Sequence, residues 1–309
     1  MKKISIVIPA HNEEGNVALV HEKIKKIFSG LNNYDFEIIF VNDGSRDNTQ
    51  QRLEELSQQY SEVKFIEFSR NFGHQPAVKA GMDNAHGNAV ISMDGDLQHP
   101  PELIPEMIKK WEEGFDVVYT IRTYPKQISY FKRKTSDFFY KMLSSLSDVD
   151  LTKGGGSDFR LLDANAVEVM RSFTEDDLFL RGLTSWMGFK QTGIEFTANE
   201  RLTGESSYNL KKMITFAFTG ITAFSVKPLY IAAYLGFLFS ALSVVGYVGY
   251  VIYSFVVETE ISGWASLIMT IVFFGGLQLI ILGIMGIYLG KIFKQVKERP
   301  NYIIRNKNF

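Results

Sequence analysis

Two aspartates separated by one glycine carry the clearest chemical signal in this chain of 309 residues. Asp94-Gly95-Asp96 follows an apolar run and precedes Gln98-His99-Pro100-Pro101, which predicts a turn between a strand and a helix. The chain has no cysteine, and paired carboxylates suit a hard divalent cation such as Mg²⁺ or Mn²⁺, which keeps positions open for phosphate. We therefore predict a metal site at Asp94 and Asp96 that neutralises a departing diphosphate. The alternative is a turn of two solvated aspartates.

Polar clusters also follow the first and second apolar runs of the chain. They are Pro9-Ala10-His11-Asn12-Glu13-Glu14 and Asn42-Asp43-Gly44-Ser45. Asp43 is suited to accept hydrogen bonds from a ribose hydroxyl or a base imide. Its alternative role is an Asx turn or a helix N-cap.

Two further segments carry charged residues next to glycine. Arg70-Asn71-Phe72-Gly73-His74 ends the third apolar run, where Arg70 could bind phosphate and Gly73 could let the backbone approach it. Otherwise Arg70 is a surface arginine. The glycine-rich residues 153–160 place Asp158 between apolar flanks, which suits a mobile carboxylate near an acceptor, or else form a plain turn.

These clusters need a sheet that brings their strand ends together. Short β-branched runs predict strands at 4–8, 36–41, 63–68, 89–93 and 116–121. The segments between them predict helices at 13–28, 48–60, 75–85 and 101–113. Strands alternating with helices indicate an α/β fold with a mostly parallel, Rossmann-like sheet covered on both faces. Because ligands bind beyond the carboxyl ends of such strands, the three strand-end clusters outline one site.

Charge is nearly balanced overall, with 33 Lys and Arg against 34 Asp and Glu, which gives no support for a nucleic-acid binder. Charged residues are absent from 228–257 and 261–290. Each run is long enough to cross a bilayer as a helix, and a buried helical hairpin is the alternative. Six cations follow the second run, at Lys291, Lys294, Lys297, Arg299, Arg305 and Lys307.

These features predict a multi-pass protein of the plasma membrane. The apolar run after Met1-Lys2-Lys3 is too short for a signal peptide. The positive-inside rule then places the soluble domain (1–205) and both termini in the cytoplasm. Residues 206–227 have apolar positions at helical spacing and predict an amphipathic interfacial helix, or an ordinary core helix. Transmembrane helices at 228–257 and 261–290 and a basic tail (291–309) complete the chain.

Small residues recur in both apolar runs and could support close helix packing, within the hairpin or between chains of a homo-oligomer. They are Gly246, Gly249, Gly275, Gly276, Gly283 and Gly286.

Taken together, these motifs resemble the family-2 inverting glycosyltransferases of the GT-A fold. The resemblance is to the branch that uses polyprenyl phosphates, which includes dolichol-phosphate mannose synthase and the bactoprenol glucosyltransferases. It covers nearly the whole chain, and its residues are 8–14, 41–45, 70–73, 94–101, 156–162, 200–201, the two apolar runs and 299–304.

The resemblance implies a site that binds the UDP of a UDP-sugar beside a metal ion, Mg²⁺ or Mn²⁺, held by Asp94, Asp96 and Gln98. The implied donor-binding residues are Pro9, Ala10, His11, Glu13, Asp43, Arg70, Lys79, Asp94 and Gly95. The implied acceptor is a polyprenyl phosphate bound near Arg122, Lys132, Arg133, Ser136 and Arg201. The implied catalytic residues are Asp94, Asp96 and Asp158, the last of which matches the carboxylate proposed as base.

The expected reaction is inverting transfer of a sugar, by resemblance glucose, to undecaprenyl phosphate, giving a lipid-linked sugar for cell-envelope glycan modification. N-acetylglucosamine or another sugar is the alternative donor group. A flippase and a downstream glycosyltransferase would then act on the product. A phosphate monoester is already largely ionised at neutral pH, so Asp158 is expected to orient the acceptor more than to remove a proton.

Three other classes of protein are alternatives to this expectation. A processive polysaccharide synthase usually carries a QxxRW motif, which the chain lacks. An aspartyl phosphatase has its DxD on the first strand, whereas here the motif follows the fourth. A nucleotide-binding membrane scaffold without activity stays open on motifs alone.

Overall fold

The computed structural model describes residues 1–123, 157–176, 178–197, 222, 225–257 and 263–309. In these residues one sheet of eight strands has the order β7-β5-β6-β4-β1-β2-β3-β8. The strands are β1 (Lys2–Ala10), β2 (Tyr34–Asn42), β3 (Val63–Phe68), β4 (Ala89–Ser92), β5 (Val117–Thr123), β6 (Arg160–Asp163), β7 (Gln191–Thr197) and β8 (Ile304–Lys307). The predicted α/β fold with a mostly parallel sheet is confirmed, since β1 pairs in parallel with β2 and β4, β2 with β3, and β5 with β7.

The helices described around the sheet are shorter than the membrane-length pair that follows them. They are α1 (Val17–Phe28), α2 (Thr49–Gln59), α3 (His74–Asp83), α4 (Ile104–Glu112), α5 (Ala164–Ser172) and α6 (Leu180–Trp186), with α7 (Lys227–Val257) and α8 (Trp264–Val296) after them. A 3₁₀ turn, Pro101–Leu103, precedes α4.

The central strands are buried on both faces because their side chains alternate between two apolar cores. Ile4, Ile6 and Ile8 of β1 enter one core, together with residues of α1, α2 and α4. Val7 enters the other, together with residues of α3, α5 and α6. This two-sided burial explains why the strands are nearly continuous apolar runs. It also holds the carboxyl ends of β1, β2 and β4 side by side.

The first helix starts four residues later than the sequence predicts. Asn16 and Val17 donate backbone N–H groups to the carbonyl of Glu13, which forms a turn there. The backbone N–H of Glu13 donates to Thr49 Oγ1, and that of Glu14 to Asp47. Residues 13–16 are thereby tied to the loop after β2, and Glu13 stays beside the predicted site.

The helices α7 and α8 are long and apolar enough to cross a membrane, with mean hydropathy of 1.9 over Lys227–Tyr250 and 2.2 over Thr270–Val296. Almost none of these spans is buried against protein. An exposed apolar surface of this kind is typical of contact with lipid or with another protein. The two helices meet where the Phe239 ring lies edge-on to Phe273 and Phe274.

The glycines of α7 and α8 do not mediate contact between the two helices in the described residues. No atom lies within 4 Å of a Cβ built at Gly246, Gly249, Gly275, Gly276, Gly283 or Gly286. The hairpin half of the packing prediction therefore does not hold here, and packing between chains stays a prediction.

The boundaries at the end of the chain also differ from the prediction. Helix α8 continues past residue 290 to Val296, and the basic tail contains β8, which pairs antiparallel with β3 at the sheet edge. The sequence of β8, Ile304-Arg305-Asn306-Lys307, is mostly polar. An exposed edge strand of this composition has no apolar pattern from which it could be predicted. The predicted interfacial helix lies outside the described residues except for 222 and 225–227.

Candidate active site

A cleft of about 480 Å³ opens at the carboxyl ends of β1, β2 and β4. The three strand-end clusters predicted to converge do so here. The lining residues are Pro9, Ala10, His11, Glu13, Asp43, Asn71, Gly73, His74, Asp94, Gly95, Asp96 and Asp158.

Asp94 lies between two imidazoles, with His99 Nδ1 3.4 Å from its Oδ2 and His74 Nε2 3.6 Å from its Oδ1. Asp94 Oδ1 is buried and has no hydrogen-bond partner in the described residues. Burial raises the pKa of Asp94. The nearby His99 and His74 lower this pKa, whereas the charges of Asp158 and Asp96 add to the rise. Burial likewise raises the pKa of Glu13, to which Asp96, Asp47 and Asp94 contribute. A divalent cation would relieve both the unpaired oxygen and the repulsion, so the residues present fit a metal ion.

Asp96 is fixed by its neighbour Gln98. The carboxylate of Asp96 accepts hydrogen bonds from the backbone nitrogen of Gln98 at 3.0 Å and from its side-chain Nε2 at 2.6 Å. Among the described residues, no three His, Asp or Glu side chains form a complete metal-binding group. An ion here would therefore need further oxygen ligands, which a diphosphate can supply.

His99 does not line the cleft but supports the Asp94-Gly95-Asp96 turn from the protein interior. Its Nδ1 accepts the backbone N–H of Asp94 at 3.2 Å, so Nε2 carries the proton and donates to Ser157 Oγ at 2.9 Å. The ring stacks on Phe159, with centroids 5.4 Å apart. His99 thus links the Asp94 turn to the segment that carries Asp158.

Asp158 is held in an ion pair with an arginine that the sequence analysis did not single out for the site. Arg181 Nε lies 2.6 Å from Asp158 Oδ1, and Nη2 lies 2.7 Å from Oδ2. His74 Nε2 is 3.3 Å from the same Oδ2. Burial alone would raise the pKa of Asp158, but the hydrogen bonds from Arg181 and His74 hold this pKa well below its usual range. A carboxylate so stabilised is a weak proton acceptor.

The wall of the cleft next to β2 is built by two loops in backbone contact. The carboxylate of Asp43 accepts hydrogen bonds from the backbone nitrogens of Phe72 at 2.6 Å and Gly73 at 2.9 Å. A Cβ at Gly44, whose φ is 61°, would lie 2.5 Å from the backbone of Arg70 and Asn71. Only glycine permits that approach. Asp43 therefore fixes the loop as well as lining the cleft.

His11 closes the same wall. Its Nδ1 lies 2.8 Å from the carbonyl oxygen of Asp43 and so carries the proton that is donated there. Its Nε2 is then an acceptor for Asn12 Nδ2 at 3.2 Å. These contacts fix the orientation of the imidazole at the mouth of the cleft.

The first turn of α3 faces the cleft. Gly73, with φ of 106°, ends the preceding loop, and His74 is the first residue of the helix. The free backbone N–H groups and dipole of a helix N-terminus favour an anion such as phosphate. This end of the cleft therefore suits the diphosphate part of a ligand.

The structure brings most of the predicted donor residues together and separates two of them. Arg70 does not line the cleft: it is exposed, and its guanidinium lies 3.9 Å from the ring centroid of Phe72. The placement of Lys79 in the donor site is wrong. Its amine is buried on the far side of α3, where it bonds Asp83 at 2.5 Å and the carbonyl of Arg171 at 3.3 Å. Lys79 lies more than one helical turn beyond His74, which rotates it away from the cleft.

The predicted acceptor residues mostly fall outside the described part of the chain. This applies to Lys132, Arg133, Ser136 and Arg201. Arg122 lies in β5, in register with Phe196 of β7. Their roles stay predictions.

His74 and Arg181 belong to the site although the sequence analysis assigned them no role. The sequence did indicate a position near the site for His74, because it directly follows Gly73 at a predicted helix start. Arg181 had none, since it approaches Asp158 only through the packing of α6, where Gln75 Oε1 accepts the backbone N–H of Leu180.

A mostly parallel sheet with a cleft at the carboxyl ends of its strands is typical of nucleotide-binding α/β enzymes. The chain belongs to glycosyl transferase family 2, whose sequence model matches residues 5–169.

Relatives match the chain over nearly its full length. An uncharacterized glycosyltransferase of Bacillus subtilis, YkcC, is 45% identical over 302 residues, covering 97% of this chain and 93% of the relative. The bactoprenol glucosyl transferase of Shigella phage SfV is 38% identical over 305 residues and covers 99% of both. A prophage bactoprenol glucosyl transferase homolog of Escherichia coli K12 is 36% identical over 303 residues, covering 98% of both.

Solved structures support the fold. A Pyrobaculum calidifontis mannosyltransferase in complex with GDP-Man and Mn²⁺ is similar with a TM-score of 0.50 and 14% identity. The match covers 72% of this chain and 63% of the other.

Proposed function

We propose that this glycosyltransferase moves glucose from UDP-glucose to a polyprenyl phosphate, with inversion at the anomeric carbon. The observation that carries the proposal is the combination of a carboxylate-lined cleft with end-to-end similarity to bactoprenol glucosyl transferases. The two apolar helices provide the second support, because a lipid acceptor requires an enzyme at the membrane surface.

The donor would lie across the strand ends. The wall formed by His11, Asp43 and Asn71 would receive the nucleoside, and the N-terminus of α3 the diphosphate. Asp94 and Asp96, with Gln98, would hold Mg²⁺ or Mn²⁺, which supplies charge neutralisation for the departing UDP.

The acceptor supplies its own nucleophile. The second pKa of a phosphate monoester is about 6, so a phosphate oxygen is largely ionised at neutral pH. Asp158, kept ionised by Arg181, is then a positioning group that aligns His74 and Arg181 beside the reacting centre. Arg122, Lys132, Arg133, Ser136 and Arg201 are the proposed ligands of the lipid phosphate.

The proposed orientation puts the catalytic domain and both termini in the cytoplasm. The cations from Lys291 onward support it through the positive-inside rule. The lipid-linked sugar would then serve a flippase and a second glycosyltransferase.

The test is transfer by the purified full-length protein in detergent. It is incubated with radiolabelled UDP-glucose, undecaprenyl phosphate and Mn²⁺ or Mg²⁺, and label is measured in the organic phase. Label in the lipid, with a β-linked sugar by NMR, is the expected result. Label only from UDP-N-acetylglucosamine would replace the sugar assignment. Label in polymer would favour a synthase, and no label with any donor would favour a non-catalytic scaffold.

A further inference from the structure

The chain that follows α8 returns to the catalytic domain and packs beside the cleft. We infer that this segment, residues 301–309, positions the nucleotide-binding wall of the cleft, so that nucleotide affinity depends on its docking. We call it the C-terminal clamp. The inference rests on the proposed function in so far as the ligand used to test it is UDP.

The clamp pairs with the second half of β3. Its strand β8 pairs with β3 in the register Ile66 to Lys307 and Phe68 to Ile304. The backbone nitrogen of Ser69 donates to the carbonyl of Ile303 at 3.0 Å. The pairing thus reaches the residue from which the cleft-lining loop 70–74 departs.

Tyr302 contacts the strand before that loop and the far end of the helix after it. Its ring stacks on Phe68, the last residue of β3, with centroids 5.3 Å apart and planes 10° from parallel. Its hydroxyl donates to Asp83 Oδ2 at 2.8 Å, and Asp83 is the last residue of α3. One side chain of the clamp therefore braces both the strand that enters the loop and the helix that leaves it.

The contact continues from Phe68 into the cleft wall. The ring of Phe72 lies edge-on to Phe68, with centroids 5.6 Å apart. The backbone nitrogen of Phe72 donates to the carboxylate of Asp43, which lines the cleft. Tyr302, Phe68, Phe72 and Asp43 thus form one chain of packed and hydrogen-bonded groups that ends at the ligand cavity.

A second attachment joins the end of α8 and the start of the clamp to residues 174–176. Gln295 of α8 donates through Nε2 to the carbonyl of Thr174 and accepts the backbone N–H of Asp176. Asn301 Nδ2 donates to the carbonyl of Glu175 at 3.0 Å. This segment leads into α6, which carries the Arg181 partner of Asp158. The end of α8 and the start of the clamp therefore contact the segment before α6, and the rest of the clamp contacts β3 before the loop 70–74.

A simpler role for the clamp would be to cover the exposed edge of β3, as native sheets often do. That role predicts lower stability when the clamp is weakened, with unchanged nucleotide affinity of the folded molecules. Positioning predicts a change in affinity. By linkage it also predicts that UDP strengthens the docking of the clamp.

The test compares three variants of the full-length protein in detergent, with UDP and Mn²⁺ as the probe. Tyr302→Ala should weaken UDP binding and raise the KM for UDP-glucose by about tenfold, with a smaller change in kcat. Tyr302→Phe keeps the ring stack and should stay within about threefold of the wild type. Arg305→Ala is the matched control, because Arg305 is exposed on the same strand and contacts only Glu67 among the ion pairs described.

Hydrogen exchange distinguishes positioning of the cleft wall from a role in stability alone. UDP should slow exchange of the Ser69 amide in the wild type and not in Tyr302→Ala. If Tyr302→Ala does not fold, Tyr302→Leu keeps an apolar contact with Phe68 and should show the same loss of UDP affinity. Equal UDP affinity of the wild type and the folded variant would overturn the clamp's role. Absence of UDP binding by the wild type would instead overturn the proposed donor, and the inference with it.

Discussion

Two carboxylates at opposite ends of the parallel strands, the buried Glu37 and the half-buried Asp94, have opposite surroundings. Near the amino ends, Glu37 forms ion pairs with Lys3 at 2.6 Å and Lys64 at 2.7 Å. It also accepts a hydrogen bond from the hydroxyl of Ser5 at 2.6 Å. Burial alone would raise the pKa of Glu37, but these hydrogen bonds lower it to about 2. At the carboxyl ends, Asp94 has a buried oxygen without a partner and a raised pKa.

The two carboxylates therefore have different roles, Glu37 in the stability of the fold and Asp94 in the proposed function. The amino-end carboxylate is satisfied by its own chain and contributes to folding. Asp94 has one oxygen without a hydrogen-bond partner, which opposes folding and, in the proposed function, leaves a position for a cation and its diphosphate. Perturbed groups of this kind in a cleft mark functional sites.

The largest expected effect comes from removing the unsatisfied group. Asp94→Asn and Asp96→Asn should each lower lipid glycosylation by roughly 10³-fold, since electrostatic stabilisation of the departing group is lost. Asp94→Asn should nonetheless melt at the same temperature as the wild type or higher, because folding no longer buries a charge there. Activity and thermal melting are measured on the same preparations. A large drop in melting temperature would mean that Asp94 is structural.

The second prediction concerns Asp158, which lies in the site yet resembles Glu37 in being well paired. Asp158→Asn should lower kcat by about 10- to 100-fold, less than either variant of the DxD pair, because the acceptor phosphate needs no strict base. Steady-state rates at saturating donor and acceptor measure the ranking. Loss of all turnover with donor binding intact would restore Asp158 as an obligate base.

The third prediction concerns Glu37 itself. A pKa lowered from 4.5 to about 2 corresponds to about 3 kcal/mol of stability. For an acid with a depressed pKa, this contribution is present above pH 4.5 and is lost as the pH falls towards 2. Glu37→Gln should therefore melt lower than the wild type at pH 7, and the gap should narrow below pH 4.5. The rate per folded molecule should not change. A gap independent of pH would contradict the assignment.

The smallest effect on transfer is expected at Lys79. Its amine bonds Asp83 and a carbonyl outside the cleft, so Lys79→Met should leave the donor KM within about twofold of the wild type. Kinetics with varied UDP-glucose check this. A tenfold rise in KM with unchanged kcat would place Lys79 in the donor site after all.

The sequence predicted the central sheet well, because β1 to β5 are short apolar runs rich in β-branched residues, a pattern typical of buried strands. It missed β6, β7 and β8. Strand β6 has only four residues, and the polar sequence of β8 at the edge carries no apolar pattern. Short and exposed strands are set by tertiary pairing, which local sequence does not report.

The site divides in the same way. Parallel strands bring their carboxyl ends to one edge, so the convergence of Glu13, Asp43 and Asp94 could be predicted from chain order. The pairing of Arg181 with Asp158 could not, since it depends on how α6 packs. Lys79 was misplaced because it lies on the side of α3 that faces Asp83 and Arg171, away from the cleft.

The claim that the unsatisfied carboxylates prepare a metal and nucleotide site is tested most directly by UDP binding to the purified protein. Calorimetric titration is run with Mn²⁺, with EDTA, and on Asp94→Asn with Mn²⁺. We expect binding by the wild type with Mn²⁺ and its loss in both other conditions. UDP affinity in EDTA and in Asp94→Asn equal to that of the wild type with Mn²⁺ would contradict the account.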